Sequence, residues 1–249
     1  MTPTVSVAVM AHPRRASYVD ELVDQLDRPS TVVWDQINDR HDTGVRSLEA
    51  YDPAATHHLV VQDDAVVCRD LIAGIERALL HCPADVPLCL YVGRVRPFHR
   101  EIDRLVDLAG QEQASWLTMR GIYWGVGIVV PTGDIPELAG WFRSATITNY
   151  DRRVSTWYQL QDRTVWYPWP SLVDHRGDES LVDGHGSARC AHRFLGVDES
   201  ALDVDWSGPV VDVPRSGQMD RVRQQRVAQV RRQMRRQAIR DRRRTRRTA

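Results

Sequence analysis

The sequence predicts an α/β protein in which helices flank a mostly parallel sheet. Two observations carry that expectation. Short apolar runs alternate with stretches of helical spacing through the first 145 residues. That alternation is the signature of a sheet wound with helices, with ligands at the C-terminal ends of its strands. At 249 residues and 42% hydrophobic, with 8 Trp, the chain can bury a substantial core.

Residues 5–10 read as a first strand. Residues 17–26 carry Val19, Leu22, Val23 and Leu26 at helical spacing. Residues 31–34 make a second strand, and 35–43 a polar loop. Val45, Leu48 and Ala50 mark a helix leading to a strand at 59–61. Residues 70–80 pattern as a helix, 88–92 as a strand, 101–108 as a helix and 128–130 as a late strand. After about residue 145 the character changes. Trp157, Tyr158, Trp166, Tyr167, Pro168, Trp169 and Pro170 fall within 14 residues, and a segment bearing His and Gly follows to about 196. This predicts an irregular, aromatic-rich lobe closing over a site. The expected organisation is a catalytic unit at 1–196, an acidic linker with Pro and Gly at 197–218, and an Arg-rich tail at 219–249, helical or disordered.

The formal net charge of zero conceals an asymmetry. Residues 219–249 hold 13 Arg against two acids, a net +11, so the remainder carries −11; no Lys occurs anywhere. No apolar run approaches the roughly 20 residues that span a bilayer. The first residues lack a basic segment before their apolar run and read as a strand rather than a signal peptide. Cys68, Cys82, Cys89 and Cys190 show no CxxC pairing. Reduced thiols in a cytoplasmic protein are the expectation.

The most informative stretch runs from Thr56 to Ala65, where an apolar run ends in Asp63 and Asp64. Two neighbouring carboxylates are costly to bury without a cation or strong donors. At a strand's end they suit a divalent cation and a phosphorylated ligand; an ordinary acidic turn is the alternative. Strand alternation sends Val60, Gln62 and Asp64 to one face and Val61 and Asp63 to the other. Asp64, beyond the strand, is then the first choice for direct metal contact and Asp63 the second.

Three motifs taken together resemble a GT-A-fold glycosyltransferase of the actinobacterial and actinophage type, with an acidic metal motif like that of glycosyltransferase family 25. They are Val-Ala-Val-Met-Ala-His-Pro-Arg-Arg at 7–15, Val-Val-Gln-Asp-Asp-Ala at 60–65 and Pro-Ser-Leu-Val-Asp-His-Arg-Gly-Asp-Glu-Ser-Leu at 170–181. The resemblance covers roughly residues 5–196. It implies a GT-A-like sheet and transfer of a sugar from a nucleotide-diphosphate sugar, a UDP-sugar, to an unknown acceptor. It also implies Mn²⁺ or Mg²⁺ bridging the departing phosphates, for which carboxylate oxygens are suited. Gln62 stands where the family often has an acid, which leaves the cation one charge short.

The resemblance distributes roles along the chain. Asp63, Asp64 and His175 would hold the metal. Arg176 could contact phosphate through its planar fork. His12 and Arg14 would lie by the base or ribose, Asp35 would accept from uracil or a ribose hydroxyl, and Arg46 would reach the diphosphate. Asp151 would act as the general base on the acceptor, a role compatible with its favourable place at a helix N-terminus. His185 and His192 read as structural or surface residues. The glycines of 121–127, with Tyr123 and Trp124 between them, suit either close approach to a sugar or a bulged strand.

In the tail, Val227, Val230, Met234 and Ala238 form a narrow apolar stripe amid the arginines. An interfacial or partner-binding helix, a nucleic-acid or other polyanion arm, and a solvated tail folded back on the acidic body all fit that pattern. Two further functions share these features. One is a nucleotidyltransferase-like enzyme on a related sheet; the other is a nucleic-acid-binding protein with a degenerate enzyme-like core.

Overall fold

In a computed structural model of the chain, the described residues are 2–95, 97–145, 147, 149–176, 189–213 and 217–248, with side chains described to 240. His185 lies outside them. The chain forms β1 (Val5–Ala11), α1 (Ala16–Gln25), β2 (Thr31–Trp34), α2 (Arg40–Glu49), β3 (His57–Gln62), β4 (Ala65–Val67), α3 (Leu71–Ala78) and β5 (Leu88–Cys89). It continues through α4 (His99–Gln111), β6 (Trp116–Met119), β7 (Gly127–Pro131), α5 (Ile135–Ser144), α6 (Tyr150–Leu160), β8 (Val165–Pro168), β9 (Val173–His175), β10 (Val210–Asp212) and α7 (Gln218–Thr248).

Eight strands make one mixed sheet in the order β10-β6-β8-β5-β7-β3-β1-β2, while β4 and β9 pair in a small second sheet. Strands β2, β1 and β3 are parallel neighbours, with Met10 opposite Gln62 and Ala11 opposite Trp34. Strand β7 runs antiparallel between β3 and β5. The chain entering β7 therefore reaches the same sheet edge at which β1, β2 and β3 end. Helical layers cover both faces. One apolar core gathers residues from α2, α4, α5 and α6; the other gathers them from α1, α3 and the strands facing them.

The expected strands at 5–10, 31–34, 59–61 and 128–130 are present, each within a residue or two of its expected ends. The strand expected at 88–92 shortens to β5: the Leu90 N–H still donates to Gly127 of β7, but its carbonyl accepts from Leu172 and the Val92 N–H donates to Ser171 Oγ at 3.0 Å.

Two regions differ from expectation. The aromatic stretch after residue 145 is not an irregular lobe, since β8 inserts between β5 and β6 in the main sheet. Tyr167 and Tyr158 are fully buried. Nor is 197–213 a linker. Strand β10 extends the sheet beside β6, and Trp206 packs on Trp116, whose Nε1 donates to the Trp206 carbonyl at 3.0 Å. Gly74 of α3 admits this segment, because a Cβ there would lie 2.2 Å from Ala201 Cβ.

Helix α7 has two halves. Glu101 of α4 accepts from the first free N–H groups, Met219 at 2.7 Å and Gln218 beside it, and so caps the helix start. Met219, Val227 and Val230 are buried against the body, and the helix then continues outward. Among the described residues no helix is long and apolar enough to cross a membrane. Cys68 and Cys89 are buried, Cys82 is half-buried and Cys190 is exposed; all four are free thiols.

Candidate functional site

The site forms where β1, β2 and β3 end. β3 stops at Gln62, and Asp63 and Asp64 make the turn into β4. The Asp63 N–H still donates to the Met10 carbonyl at 3.2 Å, tying the turn to β1. Both acids are buried, at 5% and 7% exposure. Strand alternation placed their side chains on opposite faces, but the turn breaks that alternation and both carboxylates converge on one cation. Arg15 Nη1 lies 2.9 Å from Asp63 Oδ1 and 2.7 Å from Asp64 Oδ2.

Local sequence explains how Arg15 arrives there. Pro13 starts a single 3-10 turn at Pro13–Arg15 after β1, and His12 caps it, its Nδ1 accepting from the Arg14 N–H at 3.2 Å. The His12 N–H donates to Asp63 Oδ2 at 2.7 Å. Burial pushes the Asp63 carboxyl up, against the Arg15 hydrogen bond that pulls it down. For Arg15 burial works to lower the guanidinium, yet Asp64 and Asp63 hold it above its ordinary value.

His175 reaches the same place through strand pairing, because Ala65 of β4 stands opposite it on β9. Its Nε2 is 3.4 Å from Asp64 Oδ2, and its Nδ1 is 3.0 Å from the Arg176 carbonyl. A carbonyl only accepts, so Nδ1 donates to it, and Nε2 is left as the ring atom that faces the Asp64 carboxylate. Asp64 Oδ1 is buried and has no hydrogen-bond partner among the described residues.

These features decide whether a divalent ion fits. Among the described residues no group of three or more His, Cys, Asp or Glu forms a metal-holding cluster. Mg²⁺ and similar ions, however, often take one or two carboxylates and complete their shell with substrate phosphates and water. Asp64 offers an unpartnered oxygen, His175 turns a ring nitrogen toward the same carboxylate, and a single guanidinium bridges the two carboxylates. The residues fit an ion that arrives with a diphosphate.

Asp151 lies nearby, at the start of α6. A Cβ on Gly125 would sit 3.0 Å from Gln62 Nε2 and 3.4 Å from Asp151 Cβ. Gln62 and Asp151 thus both lie against Gly125, where the missing side chain leaves space. Burial pushes the Asp151 carboxyl up, opposed by the Arg152 N–H, which donates to its Oδ1 at 2.8 Å. Tyr123 and Trp124 are committed to packing, edge-on to Phe98 and Tyr167 respectively.

The remaining expected residues divide. Asp35 is on the same edge, its N–H donating to the Ala11 carbonyl at 2.7 Å, but its Oδ1 already accepts from Ile37 and Asp39 and shapes the loop before α2. Arg46 is held locally, with Nε 2.7 Å from Asp42 Oδ2 and Nη2 3.0 Å from the Trp34 carbonyl, so it does not point into the acidic site. Arg176 lies over the Tyr18 ring at 4.6 Å and pairs with Glu21, while its N–H donates to the Asp64 carbonyl at 2.8 Å. Arg14 is exposed. His192 is a structural neighbour of Asp103, at 3.7 Å. Sequence reasoning gave Arg15 no role of its own. The signal for Arg15 was electrostatic: a buried acid pair needs a cation, and the loop after the adjacent strand holds two arginines.

A comparison with known protein families found no matching family model, and one with curated protein sequences found no match.

Proposed function

We propose that this chain is a glycosyltransferase that moves a sugar from a nucleotide-diphosphate sugar, a UDP-sugar, to a hydroxyl acceptor, on a GT-A-like sheet. One observation carries the reading. A buried, incompletely hydrogen-bonded carboxylate pair stands at the C-terminal edge of parallel strands, with a second, separate carboxylate beside Gly125. Ligands in open α/β sheets bind at that edge.

Each residue has a task in this reaction. Asp64 and His175, with Asp63 behind them, would hold Mn²⁺ or Mg²⁺ against the donor diphosphate. Bound there, the ion would draw off charge as the bond from the sugar's anomeric carbon to the β-phosphate breaks. Arg15, which bridges the two carboxylates, holds Asp63 and Asp64 in place before the donor arrives. The His12 N–H fixes Asp63, and Gly125 leaves room beside Gln62 for the sugar. Asp151 takes the proton from the acceptor hydroxyl as its oxygen attacks. Burial that raises the Asp151 carboxyl makes it a stronger base near neutral pH, which suits that task.

A thermal-shift panel of nucleoside diphosphate sugars, each with and without Mn²⁺, tests donor class and metal together. The proposal expects a UDP-sugar to raise the melting temperature only when the ion is present. Stabilisation by nucleoside triphosphates with pyrophosphate release, and none by any sugar nucleotide, would replace it with nucleotidyl transfer.

A further inference from the structure

The two halves of α7 are built differently. In the root, Arg223 pairs with Asp220 at 2.9 Å and Asp162 at 3.0 Å, and Arg231 Nη2 donates to the Leu160 carbonyl at 3.2 Å. Beyond the root, Arg232, Arg235, Arg236 and Arg240 are exposed, and among the described residues none of them forms an ion pair. The sequence from 232 to 249 carries nine Arg and one Asp, a net +8. At 3.6 residues per turn these four arginines share an arc of about 140°, on a rod of roughly 25 Å counted to residue 248. At the junction, a cavity of about 530 Å³ is lined by Arg223, Arg231, Arg232 and Arg235 with a single acid, Asp162.

We propose that the distal half of α7 is a nucleic-acid-binding arm whose arginines neutralise backbone phosphates. A closely spaced row of fixed anions is what an unpaired row of guanidinium groups matches, through planar, bidentate contacts to phosphate oxygens. A membrane surface fits less well. An interfacial helix needs a continuous apolar face, whereas the large exposed apolar residues here, Met234 and Ile239, stand about 140° apart on the helix. The chain's own acidic body does not fill the role either, because the distal arginines reach none of its described carboxylates. The arm is anchored on α6, the helix that carries Asp151, through the Arg231 bond to the Leu160 carbonyl. The proposal is independent of sugar transfer and stands or falls without it.

The test is fluorescence anisotropy with a labelled DNA duplex and a labelled single-stranded RNA, across a salt series. It compares the full chain with its R232Q/R235Q/R236Q/R240Q variant. These side chains are exposed, so the variant keeps its helix by circular dichroism and its melting temperature. The intact chain should bind at least one probe with steep salt dependence. The variant should bind at least about ten-fold more weakly, and its log–log salt slope should be shallower by about 3 to 4. No binding by the intact chain at low salt would overturn the proposal. So would an unchanged slope in the variant, or tighter binding to polyglutamate or anionic vesicles than to either nucleic acid. Salt-sensitive self-association without nucleic acid would assign the arm to a second copy of the chain instead.

Discussion

Arg15 and Arg235 are the same side chain in opposite settings. Arg15 is enclosed at the end of β3, within 3 Å of two buried carboxylates and positioned by a proline-started turn. Arg235 stands in solvent on distal α7, with exposed arginines as its neighbours on the helix. Inside the protein a charge needs an answering group, as Arg15 answers Asp63 and Asp64, because an unanswered one is costly in a low-dielectric setting. Outside, water and salt answer for it, and the sequence is free to accumulate charge that a partner can use. A surface charge can be lost with little effect on stability, whereas removing the one cation between two buried carboxylates leaves both without it.

Four outcomes would break or sharpen that contrast. The largest is for Arg15→Met, which strands two adjacent carboxylates in the interior and should cost ~3–5 kcal/mol of stability in denaturant unfolding. Part of that loss should return when Asp64→Asn is added. A cost below about 1 kcal/mol would mean that the pair is hydrated.

The next outcome concerns pH. Burial drives His57 and His58 down to about 4. The neutral His58 ring is fully used, with Nε2 donating to the Ser47 carbonyl at 2.8 Å and Nδ1 2.9 Å from Ser6 Oγ. The folded values lie below the unfolded one, so the unfolded chain binds more protons in the interval between them. Stability is therefore fully present above pH ~6.5 and falls as pH drops toward 4, by roughly 3 kcal/mol for His58. In H57Q/H58Q the unfolding free energy should lose most of that slope; the same slope in both proteins would contradict the assignment.

Third, Met219→Ala at the root of α7 should cost about 2 kcal/mol, because it empties a buried position. An unaffected midpoint would mean that the root is not docked. The smallest effect belongs to R235Q/R236Q, for which stability should stay within ~0.5 kcal/mol of the parent. A larger loss would show that these arginines answer to the body after all.

How much of this was legible in the sequence depends on range. β1, β2, β3 and β7 announce themselves through local apolar runs, and Asp63 and Asp64 through their place at the end of one. β8 was hidden because Pro168 and Pro170 interrupt a short run whose Val165, Trp166 and Tyr167 suit a strand, and its pairing with β5 and β6 is what holds it in the sheet. The segment 197–213 looked like a linker from its acids, Pro and Gly; what secures it is Trp206, matched to a Trp116 pocket 90 residues away. The choice between Arg14 and Arg15 lay beyond local spacing, since it turns on the exit angle of one 3-10 turn. Arg46 seemed free for a phosphate until Asp42, one helical turn earlier, was seen to hold it.

The central claim is that the acidic turn after β3 receives a cation-bound sugar nucleotide. The direct measurement is release of UDP from a UDP-sugar with Mn²⁺ present, comparing the intact chain with Asp64→Ala and confirming both folds by circular dichroism. Removing so central an electrostatic group should cut turnover by about 10²–10³ or more, and a chelator should do the same to the intact chain. Equal turnover by the two proteins, or full activity in chelator, would contradict the account.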